Sequence, residues 1–190
     1  MDMERRQFFR RAFAKTGETI VKELDERVGK KAANYIRPPY ALAEMEFLLA
    51  CTRCHACIEA CPYHVIFPLS SKLGTEVLGT PALSLANKAC LLCEDYPCVS
   101  ACEPQALYKD EQVDALPKLA KIRINPQTCL PFQGPECGVC VGVCPVPGAL
   151  KLELEKPVID AAVCVGCGQC RQACIVEPKA IIVSSLYQPD

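Results

Sequence analysis

Sixteen cysteines constrain this 190-residue chain more than any other feature, because they fall into four groups of four and none is left over. The first group is Cys51, Cys54, Cys57 and Cys61, the second Cys90, Cys93, Cys98 and Cys102, the third Cys129, Cys137, Cys140 and Cys144, and the fourth Cys164, Cys167, Cys170 and Cys174. A motif that recurs along a chain predicts a fold assembled from repeated units. A proline lies at or near the end of each group and a short apolar pair follows, as in Pro62 and Val65-Ile66. We therefore expect each repeat to be a cysteine loop and a helical turn that leads into a short strand.

The spacing of the first and fourth groups, C-x2-C-x2-C-x3-C, is typical of bacterial-type iron-sulfur sites, and Pro62 completes that motif after the first group. A cubane cluster presents its irons at tetrahedral corners, so three thiolates from one tight loop can reach three irons while the fourth comes from elsewhere. In proteins with two such clusters, the fourth cysteine of a run binds the other cluster. We therefore predict that all sixteen cysteines are iron ligands, in four [4Fe-4S] clusters that occur in pairs.

The other two groups keep this plan with wider intervals, from Cys93 to Cys98 and from Cys129 to Cys137, which leave room for an added loop. Four glycines lie among the ligands, where a missing side chain lets backbone N–H groups approach the cluster sulfurs and tune the reduction potential. They are Gly138, Gly142, Gly166 and Gly168.

Structural zinc sites and disulfide bonds are the two alternative explanations for so many cysteines. Structural zinc also takes four thiolates, but usually from paired C-x2-C knuckles with a longer spacer, whereas here three closely spaced cysteines precede a C-P ending. A disulfide framework requires an oxidising compartment. Each group is already complete with cysteine, so His55 and His64, the only histidines, are expected at the surface or behind the ligands.

Signs of a catalytic site are missing from the sequence. It contains no G-x-x-x-x-G-K phosphate loop and no G-x-G-x-x-G run after a strand, and two histidines are too few for a plausible Ser/His/Asp set. Acidic residues near the ligands, such as Glu94, Asp95 and Glu103, are expected to solvate the surface. We therefore predict a carrier without a catalytic site, in which the polypeptide sets the distance, potential and exposure of its clusters.

The N-terminal region differs in charge from the remainder. Residues 1–37 carry ten Lys or Arg and six Asp or Glu, whereas the remainder carries eleven and sixteen. The acidic body and the lack of an aromatic platform among the basic residues argue against a nucleic-acid partner. Apolar residues at spacings of four and seven predict an amphipathic helix within residues 4–33, which Pro38 and Pro39 stop. These apolar residues are Phe9, Phe13, Ile20, Leu24 and Val28.

The predicted fold class is α+β, with two ferredoxin-like modules of the bacterial 2[4Fe-4S] type and an N-terminal amphipathic helix. Residues 1–40 are predicted to form a basic helical arm, and residues 41–190 a four-cluster body. The alternation of residues 122–124 and 150–154 indicates half-buried strands. Residues 62–89 show no regular period of apolar residues and are predicted to be an ordered loop.

Several local motifs recur in a known family. They are Arg37-Pro38-Pro39 leading to Phe47 and Cys51, Gly79-Thr80-Pro81, Cys90-x2-Cys93-Glu94-Asp95-x-Pro97-Cys98, Cys129-Leu130-x-Phe132-Gln133-Gly134 and Cys164-x-Gly166-Cys167-Gly168. Across about residues 37–187 the sequence resembles the ferredoxin-type accessory proteins of periplasmic nitrate reductase and methylamine oxidation, the NapG, NapF and MauM group. The resemblance implies that all sixteen cysteines bind clusters. It also implies a redox protein partner, with electron transfer around a molybdoenzyme or a quinol-linked chain, or else a role in the maturation of such an enzyme.

The pairing of the groups stays open at this stage. Neighbouring groups could pair, or the first could pair with the fourth and the second with the third, as in the similar four-cluster subunits of formate dehydrogenase and dimethyl-sulfoxide reductase. The chain departs from the family at Glu103 and Ile175, where proline usually follows the last ligand. These departures could alter two loops and their cluster potentials, but they leave the number of ligands unchanged.

The compartment is predicted from the first residues. The run Arg5-Arg6-Gln7-Phe8-Phe9-Arg10 is similar to the opening of a twin-arginine export signal, yet charges interrupt residues 16–32 throughout. We therefore expect a cytoplasmic protein, with periplasmic export by the twin-arginine route as the alternative. The basic helix is expected to dock on a partner or to lie against an anionic membrane face.

Overall fold

A computed structural model describes residues 29–110, 112 and 115–189. Short elements connected by long loops make up this part of the chain. The helices are α1 (Glu44–Ala50), α2 (Ala56–Glu59), α3 (Pro97–Ser100), α4 (Leu130–Gln133), α5 (Val139–Gly142) and α6 (Gln169–Ala173). The strands are β1 (Ile66–Pro68), β2 (Pro81–Leu83), β3 (Ala120–Ile124), β4 (Leu150–Glu153), β5 (Lys156–Ile159) and β6 (Ile181–Ser185). This mixture of short helices and strands agrees with the predicted α+β class.

The strands form three antiparallel pairs, β1 with β2, β3 with β6, and β4 with β5. Strand β3 confirms the strand predicted at residues 122–124, and its alternation places Ile122 in the core and Arg123 in solvent. Strand β4 likewise confirms the strand predicted from residue 150. The loop predicted for residues 62–89 is wrong in part, because this segment contains β1 and β2. Each of these strands is only three residues long and is bounded by Pro68 or Pro81, so no alternation can develop in the sequence.

The two halves of the described chain share one plan. In the first half, residues 40–108, the segment before the first cysteine group pairs with the segment after the second group, through a bridge between Ala41 and Leu107. In the second half, residues 120–185, β3 precedes the third group and pairs with β6, which follows the fourth. A strand pair lies between the two groups of each half, β1 with β2 and β4 with β5. The closing strands therefore bring the two groups of each half together.

The cysteines themselves form much of the core. The largest group of packed, buried residues joins aliphatic and aromatic side chains, among them Phe47 and Leu85, to cysteines of the first, second and fourth groups. A buried cysteine packs as a small apolar side chain. The same group includes residues of both halves, with Leu85 and Val165 as examples. The interior is therefore continuous from one half to the other and is centred on the sulfur atoms.

The chain before the first half packs onto the body. Residues 29–32 form a helical turn, Ile36 bridges to Leu83 of β2, and Pro38 and Pro39 are buried. The predicted amphipathic helix otherwise lies outside the described residues. Within the described part of the chain, no helix has both the length and the apolar character needed to cross a bilayer.

Candidate metal centres

The structure gathers the sixteen cysteines around four small cavities of nearly equal size, each with a volume of about 20 Å³. We call them sites A to D and define each by its four cysteines. Site A has Cys51, Cys54, Cys57 and Cys102, site B has Cys61, Cys90, Cys93 and Cys98, site C has Cys144, Cys164, Cys167 and Cys170, and site D has Cys129, Cys137, Cys140 and Cys174. Every predicted ligand lines one cavity, and all sixteen are free thiols.

Each cavity takes three cysteines from one group and the fourth from the neighbouring group. Cys102, the last of the second group, lines site A, and Cys61, the last of the first group, lines site B. Sites C and D exchange Cys144 and Cys174 in the same way. Of the two pairings that the sequence leaves open, the described residues adopt the one between neighbours, first with second and third with fourth.

A sharp turn before a short helix directs the cysteines of a group into one cavity. His55 precedes α2, Tyr96 precedes α3 and Gly168 precedes α6, and all three have a left-handed backbone with φ of 66°, 42° and 82°. This conformation reverses the chain within one residue. As a result, the cysteines on the loop before the turn and the cysteine on the helix after it line the same cavity.

Burial keeps several of these thiols neutral in the absence of a metal. Burial, together with the smaller effect of neighbouring cysteines in the same half, raises the pKa of Cys57, Cys98 and Cys170 to about 12 each. Burial raises the pKa of Cys90 to about 11, although the backbone N–H of Leu92 partly opposes this effect. A bound metal ion reverses the balance, because coordination deprotonates a thiol. At these four positions the thiolate is therefore favoured only when a cation is bound.

Backbone N–H groups already point at some of the sulfurs. The N–H of Leu107 donates to Sγ of Cys102 at 3.4 Å, and the N–H groups of Gly166 and Gln169 stabilise the thiolates of Cys164 and Cys167. Hydrogen bonds of this kind lower the charge density on cluster sulfurs and so affect the reduction potential.

The donor set and the spacing of the cysteines fit a [4Fe-4S] cluster. Four thiolates on one Zn²⁺ lie about 2.3 Å from the metal and leave no space between them. Here the four cysteines of each set instead line a cavity. Among the described residues, no three His, Cys, Asp or Glu side chains are grouped closely enough for a single metal ion.

At two positions of the fourth group, neighbouring backbone atoms lie so close that a side chain would collide with them or crowd them. A Cβ on Gly166 would lie 2.1 Å from the carbonyl oxygen of Ala120, and one on Gly168 would lie 3.3 Å from that of Leu85. Both glycines have φ near 80°, which disfavours any other residue. Their main structural role is therefore close approach to β3 and to the first half. The sequence predicted only an approach to sulfur.

A buried cation behind site A was missed in the sequence. The guanidinium of Arg37 lies 4.4 Å from the ring centre of Tyr35 and 4.3 Å from that of Phe47, and donates to Glu44. Phe47 also lines site A. Burial and the Glu44 carboxylate raise the pKa of Tyr35, so its hydroxyl stays protonated and donates to Glu44 at 2.8 Å. The family motif around Arg37 was the only sequence signal for this buried contact, because a sequence shows that a residue is charged but not which residue it pairs with.

The histidines and acidic residues lie where they were expected. His55 lines site A, but its Nε2 lies 3.0 Å from the carbonyl oxygen of Gly79, behind the ligands. His64 is exposed, as are Glu94, Asp95 and Glu103.

Comparisons with known proteins place the chain in a family. The 4Fe-4S binding domain family matches residues 49–67. The methylamine utilization ferredoxin-type protein MauM of Methylobacillus flagellatus is 34% identical, over 95% of this chain and 83% of that protein. The ferredoxin-type protein NapG of Escherichia coli is 33% identical over 86% of this chain and 76% of its own length, and NapF of the same species is 34% identical over 77% and 84%. No solved structure gives a significant match. The chain therefore belongs to the ferredoxin-type iron-sulfur proteins that include MauM and NapG.

Proposed function

We propose that this protein carries four [4Fe-4S] clusters, one in each of sites A to D, and transfers electrons between redox proteins. All sixteen cysteines are the iron ligands in this proposal. The observation that carries it is the exchange of cysteines, in which each cavity takes its fourth cysteine from the neighbouring group. This exchange is how two-cluster ferredoxins bind their clusters. On this basis, residues 41–190 form a polyferredoxin body of two ferredoxin-like modules.

The protein's own residues have three tasks in this function. The thiolates would hold each cluster, the buried side chains around them exclude water, and the N–H groups of residues such as Leu107 and Gly166 stabilise negative charge on sulfur. A bound [4Fe-4S] cluster would supply the redox chemistry by gaining and losing one electron. The chain needs no acid, base or nucleophile for this, so we propose a carrier and not an enzyme.

The partner is proposed from the relatives. MauM is named for methylamine utilization, and MauM, NapG and NapF are each named ferredoxin-type proteins. We propose a redox protein as the partner, either a molybdoenzyme or a member of a quinol-linked chain. The alternative is an assembly factor that binds the cofactor-free form of such an enzyme and uses its clusters for structure or sensing.

Electron delivery separates the two functions. Anaerobically purified protein is reduced with dithionite, freed of excess reductant, and mixed with the oxidised candidate enzyme. The carrier function predicts that the enzyme reoxidises all the clusters in a second-order reaction. A protein that binds only the cofactor-free enzyme, and that the complete enzyme fails to oxidise, would contradict the carrier function and support the assembly role.

Location is a separate part of the proposal. We propose a cytoplasmic protein, on the basis of the charges that interrupt residues 16–32. A fusion of residues 1–40 to a reporter that is active only after twin-arginine export tests this. An inactive reporter is expected, and an active one would instead support periplasmic export.

A further inference from the structure

The loops of sites B and C meet at the boundary between the two halves. The backbone N–H of Cys90 donates to the carbonyl oxygen of Cys167 at 2.9 Å. Cys90 belongs to site B and Cys167 to site C, and both residues are buried. One hydrogen bond therefore joins a proposed ligand of each half, in an interior that excludes water.

Three side chains of α6, which belongs to the second half, stabilise this contact with hydrogen bonds to the first half. The side-chain carbonyl of Gln172 accepts the N–H of Ala89 at 2.8 Å, and the side-chain amide of Gln169 donates to the carbonyl of Cys90 at 3.3 Å. Nε of Arg171 donates to the carbonyl of Ala86 at 2.9 Å. Because α6 also carries Cys170 of site C, these bonds attach a ligand helix of one half to the ligand loop of the other.

Gly168 makes the close approach possible. Its backbone has φ of 82°, and an added Cβ would lie 3.3 Å from the carbonyl oxygen and 3.4 Å from Cβ of Leu85. Leu85 is almost fully buried, so it has little space into which it can move. A side chain at position 168 would therefore shift the loop of site C from the first half by a few tenths of an ångström.

Site A lies beyond site B in the first half, and site D lies beyond site C in the second half. Site A contacts site B inside the first half, where Cys57 of site A and Cys61 and Cys98 of site B lie in one buried cluster. Cys140 of site D and Cys170 of site C likewise pack in a cluster of the second half. The order of the sites along the molecule is thus A, B, C, D.

We propose that electrons cross between the halves directly from site B to site C, beside the Cys90–Cys167 hydrogen bond, and that Gly168, Gln169 and Gln172 are positioning residues for this step. The inference rests on the proposed function. A cluster bound in site B would give up one electron and a cluster bound in site C would take it up, and no covalent bond would form or break. Electron tunnelling weakens steeply with distance, so the shortest bonded path between the halves is the favoured one. Here that path needs only the covalent bonds of two residues and one hydrogen bond.

The test compares Gly168→Ala with Gly148→Ala. Gly148 has nearly the same backbone, with φ of 78°, but an added Cβ there meets no atom within 4 Å. Both variants carry the strain of a left-handed alanine, yet only Gly168→Ala places a side chain against the first half. A second comparison avoids backbone strain. The double variant Gln169→Ala with Gln172→Ala removes two hydrogen bonds across the junction. Its control, Gln133→Ala, removes one hydrogen bond within the second half.

The readout is the magnetic interaction between reduced clusters, seen as broadening and splitting in the electron paramagnetic resonance spectrum of dithionite-reduced protein. Interactions within a half are common to all variants, so the difference between a variant and its control reports the distance between B and C. We expect this contribution to be smaller in Gly168→Ala and in the double glutamine variant than in their controls, and iron and sulfide are measured in every variant so that spectra are compared at equal cluster content.

Two different failures are distinguishable. If the clusters are present and reducible but both junction variants match their controls, the junction is not between B and C and this inference is wrong. If the wild-type protein contains no reducible clusters, the proposed function itself fails.

Discussion

Arg37 and Glu44 form a two-point ion pair in the interior, with Nη2 to Oε1 at 2.6 Å and Nε to Oε2 at 3.0 Å. Their side chains are only 8% and 3% exposed. The guanidinium also donates to Oγ1 of Thr80 and to the carbonyl of Pro81, at 2.9 and 2.8 Å. The pair therefore ties the segment before α1 to β2, which lies beside site A.

Replacement of Arg37 by methionine is expected to lower the free energy of unfolding by about 3 kcal/mol, because it leaves the Glu44 carboxylate buried without its partner. Anaerobic urea unfolding, followed by circular dichroism and cluster absorbance, measures the change. The double variant Arg37→Met with Glu44→Leu should recover part of the loss, since no buried charge remains. Lys151→Met, at an exposed ion pair with Glu153, is the control and should change nothing measurable. Equal effects in the buried and exposed pairs would contradict this account.

The sharing of cysteines between groups predicts which site each ligand variant damages. Cys102 belongs to the second group in sequence but to site A in the structure. Cys102→Ala should therefore alter the same cluster as Cys54→Ala, and a different one from Cys93→Ala. Redox titrations monitored by electron paramagnetic resonance compare the three variants. A Cys102→Ala spectrum that matches Cys93→Ala would overturn the assignment of Cys102 to site A.

Gly166 should tolerate no side chain. An added Cβ would lie 2.1 Å from the carbonyl oxygen of Ala120 in β3, a distance that only backbone movement can relieve. We expect Gly166→Ala to lose the cluster of site C and to yield little folded protein. Gly148→Ala should be destabilised by only about 1 to 2 kcal/mol, which is the cost of the left-handed backbone alone. Cluster content and soluble yield provide the comparison, and full cluster content in Gly166→Ala would show that the approach to β3 is looser than described.

Cluster removal should unfold the body. The largest buried cluster contains cysteines from three groups, so the metal sites and the core are the same region. Where metal binding and folding are coupled, loss of the metal is loss of stability. Anaerobic treatment with an iron chelator and ferricyanide should reduce protection from hydrogen exchange across residues 41–189. Retained protection in β3 and β6, with all clusters gone, would mean that the second half folds without metal.

Local features could be predicted from the sequence because they depend on neighbours along the chain. The four groups identified every cysteine that lines a cavity, and the alternation around Ile122 predicted β3. The pairing of groups could not be predicted, because both arrangements satisfy the same spacing. It is set by the closing contacts of each half, such as the bridge between Ala41 and Leu107.

Long-range contacts explain the other features that were missed. Arg37 was counted as one charge of a basic arm, yet it is buried against Glu44 and Thr80. Gly168 was predicted to let backbone N–H groups approach the sulfurs, but its close neighbour is Leu85, more than eighty residues earlier in the chain. Neither partner leaves a periodic signal in the sequence.

The most direct test of the account is the amount of iron and acid-labile sulfide per chain in protein purified without oxygen. Four filled sites predict about sixteen of each. About eight of each would mean that only two of the four sites hold a cluster. A colourless, folded protein that contains zinc and no sulfide would contradict the account entirely.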